Sequence, residues 1–209
     1  MNEITGKISR VLSQNIWYHG TVYSNWKSFC ENGVIADFNK DTSDALDFGY
    51  GFYLAPNKER AEHYIISMMK NCDFYAKDEQ PMILGFEMTP LEWFVEEEYQ
   101  TKIFSKFDDE FAIFVFANRT ENMMGTKQHS YDVIYGVMSD SVPTVEIQEY
   151  KMGNKSKEEV LECLKKSNSM KQISLHNQKL CDIIKLKEAY IIDKKTNERK
   201  ELDVNDYCK

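Results

Sequence analysis

The stretch DFGYGFYLAPNKERAEHY, from Asp47 to Tyr64, constrains this chain more than any other. Two glycines fall within three residues, aromatics crowd around them, and a helix-forming run follows at once. Sequence built only to pack uses branched aliphatics at a period of two or about 3.6, and it needs no such glycine pair. Gly49 and Gly51 therefore mark backbone that turns sharply or lies close to another group. GFYLA reads as a short strand. A helix follows from Lys58 to Met69, capped by Asn57, with Ala61, Tyr64, Ile65 and Met68 on one face. Tyr53 and Tyr64 then sit on consecutive elements.

The rest of the chain supplies a scaffold for this stretch. NIWYHGTVY has the aromatic and branched content of a first strand, and SNWKSFCENGV reads as a short helix that Ser24 caps and Gly33 ends. PMILGFEMT, SYDVIYGVM and QISLH read as strands, while LEWFVEEEY fits either helix or strand. FDDEFAIFVFANR is a buried helix capped near Asp108, SKEEVLECLKKS is an amphipathic helix, and AYIIDKKTNERKELDV is a hairpin turning at Thr196 and Asn197. The sum is mixed α+β without the regular βαβ alternation of a parallel sheet. No repeat or linker divides the 209 residues, so one domain is expected over residues 1–209 with a core about 16–193.

Composition narrows the function. Apolar residues at 42% and charged residues at 29% are ordinary for a soluble globular protein. A net charge of -8 argues against a surface that tracks nucleic-acid phosphates. The five cysteines are widely spaced without a CxxC, so neither a disulfide framework nor a zinc knuckle is expected, and a reducing cytosol suits them. No secretory signal or membrane span is expected, which again points to the cytosol. P-loop, dinucleotide GxGxxG, HExxH and GxSxG motifs are all missing.

WYHGT, from Trp17 to Thr21, followed by FGYGFYLA, resembles two blocks of the ADP-ribosyltransferase superfamily, in the diphtheria toxin and poly(ADP-ribose) polymerase branch. The interval agrees too: Tyr64 lies eleven residues after Tyr53, as the second tyrosine does in that branch. YHGT, DFGYGFYLA, FANR, YDVIYGVMSD and QISLH are most similar, between about Ile16 and Tyr190, to a bacterial family catalogued as domain of unknown function 3990. The resemblance implies an ADP-ribosyltransferase-like split sandwich of two small antiparallel sheets with flanking helices, and NAD held in the cleft between them. It implies mono-ADP-ribosyl transfer from NAD to a macromolecule, protein rather than nucleic acid, in a toxin-like or defence role. An NAD glycohydrolase and a catalytically weak NAD or ADP-ribose binding module are the rival readings.

Cleaving the bond between nicotinamide and ribose requires the leaving ring to be clamped, the ribose to be fixed and negative character to be placed beside the growing cation. By the resemblance, Tyr53 and Tyr64 clamp the ring between aromatic faces. His19 donates to a ribose hydroxyl, Gly20 offers its backbone to the nicotinamide carboxamide, and Thr21 completes that block. Gln172, at the start of a late strand, stands where the polymerases carry Glu, and Ala61 where they carry Ser. Replacing Gln172 by Glu is accordingly expected to speed NAD cleavage. Glu146, Glu149 and Asp132 are the alternative carboxylates for that third position.

Overall fold

In a computed structural model, residues 4, 6–38, 46–71, 75–96, 98–120, 129–139, 142–166 and 170–207 are described. Two four-stranded sheets carry the molecule. β1 (Ile16–Val22), β3 (Pro81–Glu87), β7 (Lys185–Ile192) and β8 (Arg199–Glu201) pair antiparallel in the order β1-β3-β7-β8. The second sheet takes the order β2-β6-β5-β4, from β2 (Phe52–Leu54), β6 (Lys171–Leu175), β5 (Val133–Val137) and β4 (Thr101–Phe104). Its β2-β6 and β6-β5 pairs are antiparallel, but β4 runs parallel to β5. This corrects the expectation of two antiparallel sheets. The cause is α5 (Asp109–Thr120), which lies between the two strands in sequence and supplies the crossover that parallel neighbours need.

The sheets meet along their edge strands. Tyr18 N donates to Ala55 O at 2.9 Å and Ala55 N to Tyr18 O at 2.7 Å, a bridge that ties β1 to the end of β2. Strand alternation sorts the side chains. Trp17, Leu84, Phe86 and Ile191 from one sheet and Leu54, Val133, Tyr135 and Ile173 from the other fill a common core, with Trp17 and Tyr135 edge to face at 6.5 Å. On the outer face of the first sheet, α3 (Lys58–Asn71) lays Ala61 and Ile65 on Val22, Ile83 and Ile192. On the outer face of the second, α5 packs with α6 (Val142–Lys151) and α7 (Lys157–Leu164) over Ile134 and Phe104. Among the described residues, the space between the sheets is thus occupied by core.

Local signals explain most element ends. Asn57 Oδ1 accepts from Arg60 N at the start of α3, and Asp108 Oδ1 from Phe111 N at the start of α5. Gly33, with φ of 67°, ends α2 (Trp26–Asn32). Ser24 does not cap that helix, because a 3-10 turn over Tyr23–Asn25 precedes it. The buried face of α3 is narrower than expected: Ala61 and Ile65 are buried, while Tyr64 and Met68 are exposed. Cys163 and Cys181 are free thiols, but Cys30 is disulfide-bonded, which corrects the expectation for that residue. Spacing along a chain says nothing about which sulfurs meet in space. Cys72 and Cys208 lie outside the described residues. Among the described residues no helix is long and apolar enough to cross a membrane.

Candidate functional site

The loop from Asp47 to Gly51 is held at nearly every peptide group. Tyr53 Oη donates to Gly49 O at 2.7 Å and accepts from Phe48 N at 3.1 Å. His129 Nε2 lies 2.8 Å from Phe48 O, and His176 Nδ1 lies 2.7 Å from Tyr50 O. A carbonyl only accepts, so each of these ring nitrogens carries the proton. At the other nitrogens, His129 Nδ1 accepts from Tyr131 N at 3.1 Å, and His176 Nε2 lies 2.8 Å from Ser174 Oγ. The paired glycines now have their reasons. Gly49 has φ of 75°, and a Cβ on Gly51 would stand 2.6 Å from His176 Nδ1. His129 and His176 both serve this loop.

Asp47 anchors the loop's first residue in a buried charge cluster. Arg119, at the end of α5, donates Nε and Nη2 to Asp47 Oδ1 at 3.0 and 2.7 Å. Ser139 N donates to Asp47 Oδ2 at 2.9 Å, and Gln172 Nε2 approaches the same oxygen at 3.4 Å. Side-chain exposures of 8% for Arg119 and 4% for Asp47 make the pair costly to break from one side. Tyr53 pairs with Ser174 across β2 and β6, so its ring and Gln172 occupy the same outer face of the second sheet. Burial and then the Asp47 charge push the Tyr53 phenol well above its ordinary range.

Tyr64 approaches this group from α3. Burial of its hydroxyl, then Tyr75 and Asp47, raise its pKa, with Arg119 opposing, while the residue keeps 43% of its surface open. Tyr53 and Tyr64 are thus brought into one electrostatic neighbourhood. His19 joins from the other sheet. Its Nδ1 is 2.8 Å from Tyr53 O, and its ring packs on Phe52 at 4.5 Å and Phe29 at 5.9 Å. Burial lowers its pKa to about 4. The imidazole is therefore neutral at pH 7, with the proton on Nδ1 and a lone pair on Nε2. Among the described residues no hydrogen bond is formed to Nε2. It can accept from a hydroxyl, the reverse of the donation expected from sequence. His19 lies on the inner-face side and Gln172 on the outer, and Tyr53 is what links them.

The remaining residues of the first block serve the fold. A Cβ on Gly20 would stand 2.5 Å from the backbone oxygen of Ala61, so glycine here lets α3 lie against β1. Thr21 is buried and its Oγ1 accepts from Asn25 Nδ2 at 3.0 Å. The alternative carboxylates are engaged elsewhere. Glu146 is bound by Lys155 Nζ at 2.5 Å, which holds it below the ordinary carboxylate range, and Glu149 by Asn154 Nδ2 at 3.0 Å. Asp132 accepts from Gln100 N at 2.8 Å and Asn177 Nδ2 at 2.9 Å. A cavity of about 290 Å³ is lined by Phe29, which packs on His19, and by Val34, Phe86 and Leu186 among others, and neither tyrosine lines it. Among the described residues no cluster of His, Cys, Asp and Glu is placed to hold a metal.

A family model described as protein of unknown function (DUF3990) matches residues 34–186, well over half of the chain. The chain belongs to the DUF3990 family. The DUF3990 match contains Asp47, Tyr53, Tyr64, Arg119 and Gln172, and begins after the β1 block that carries His19. No curated protein and no solved structure matches the chain.

Proposed function

We propose that this DUF3990 chain is an NAD-dependent mono-ADP-ribosyltransferase with an ADP-ribosyltransferase-like fold, modifying a macromolecular acceptor. The observation that carries the reading is the hydrogen bond from His19 Nδ1 to Tyr53 O, which joins the two sequence blocks across the two sheets. The chemistry would draw on groups on either side of that bond. Tyr53 and Tyr64 offer aromatic surface to a cationic ring, a contact that gives up to about 2 kcal/mol when desolvated. The His19 Nε2 lone pair is an acceptor for a ribose hydroxyl, and the Gln172 amide oxygen is a second. A neutral amide stabilises a growing cation less than a carboxylate does, which supports transfer of a single unit at a modest rate. A toxin-like or defence role, acting in the cytosol, accords with that chemistry.

The test is incubation with NAD labelled on the adenylate portion, in cell lysate and in buffer alone. Label on a macromolecule in lysate, absent with His19→Ala, is the expected result. Free ADP-ribose at the same rate in buffer makes the protein a glycohydrolase. NAD that is bound but unchanged makes it a binding module.

A further inference from the structure

We propose that Asp47 is a positioning residue which fixes the direction of the Gln172 amide. This rests on the reading of Gln172 as the third site residue. An amide has a donating and an accepting end, and only its surroundings decide which faces a ligand. Asp47 decides it here. Arg119 occupies Oδ1 twice and Ser139 N occupies Oδ2, so the carboxylate is gripped from α5 and from the segment after β5 and cannot swing away. Gln172 meets Oδ2 at 3.4 Å, and only its NH₂ end is compatible with an anionic oxygen at that distance. The amide oxygen is left as the end presented to a substrate hydroxyl.

The amide is therefore the group that Asp47 requires at position 172. A carboxylate there would stand beside a second carboxylate, and two such groups at hydrogen-bonding distance hold one proton between them. Glu at 172 would then keep its proton at pH 7 and present no extra charge. The rate gain expected from sequence for Gln172→Glu then fails to appear.

The experiment compares the full chain with Gln172→Glu, Asp47→Asn and the double variant Asp47→Asn/Gln172→Glu. Thermal stability from pH 4 to 9 and single-turnover NAD cleavage are measured on each. Gln172→Glu should lose stability relative to the parent as pH rises above about 4.3, the ordinary Glu value, because the folded state keeps a proton that the unfolded chain releases. Its cleavage at pH 7 should stay within about threefold of the parent instead of rising about tenfold. The double variant, whose Glu can ionise, should lose the pH-dependent instability and cleave about tenfold faster than Gln172→Glu, a gain that a merely structural Asp47 would not give. Gln172→Glu matching the parent in stability at every pH would overturn the contact. Loss of stability with cleavage about tenfold faster than the parent would overturn the positioning role. If Asp47→Asn does not fold, because it strands Arg119, the Gln172→Glu stability profile still decides. A parent that leaves NAD intact would sink the proposed function alone, since the stability comparison needs no NAD.

Discussion

A single imidazole sets the pH behaviour of the site. His19 has its pKa lowered to about 4 by burial, against about 6.5 in an unfolded chain. Between those values the unfolded state binds the proton and the folded state does not, so stability falls as pH drops from 6.5 through 4 and is indifferent to this group above 6.5. Melting temperatures of the parent and His19→Gln across pH 3.5 to 8 check this: the parent should lose more over that window, and parallel curves would show His19 to be exposed. NAD cleavage by His19→Gln should be lost at every pH, because the glutamine does not reproduce the Nε2 acceptor geometry. Tyr64 tests the ring clamp. With 43% of its surface open, Tyr64→Ala should leave folding intact and weaken NAD binding by about 1 to 2 kcal/mol, read by calorimetry. Unchanged affinity would remove Tyr64 from the site.

At the level of elements, several ends that carry a local chemical signal are readable from sequence. Asn57, Asp108 and Gly33 mark their helices, and Asn197, with φ of 58°, marks the turn between β7 and β8. Ser156 caps α7 with a reciprocal pair, Ser156 Oγ accepting from Glu159 N and Glu159 accepting from Ser156 N. Ser156→Ala should therefore cost about 1 kcal/mol in denaturant titration. Elements without such signals stayed hidden. β4 is four residues, TKIF, too short to show alternation, and α6 opens on VPTV, whose branched residues are weak helix formers. Gly20 was assigned to ligand approach, although the element it meets is α3. Gly20→Ala should push Ala61 and its helix outward at a cost of about 1 to 3 kcal/mol, and an unaltered melting temperature would refute that packing.

Across the whole molecule, the candidate site divides into what spacing reveals and what only folding assembles. The histidine and tyrosine blocks are short and local, so they could be read. Asp47 and Arg119 are 72 residues apart and obey no period, and Ser139 contributes only a backbone group. No spacing rule brings such partners together. The shared core is a further test of the two-sheet arrangement: Trp17 is fully buried against Tyr135, and Trp17→Ala should cost about 3 to 5 kcal/mol of stability and lower NAD binding with it. The Tyr18–Ala55 bridge, finally, is where any motion between the sheets would have its pivot. It lies between β1 and β2, with β8 and β4 at the two distant rims. Any rocking of one sheet against the other swings those rims through the long arc, while His19 and Tyr53, one and two residues from the axle, barely travel.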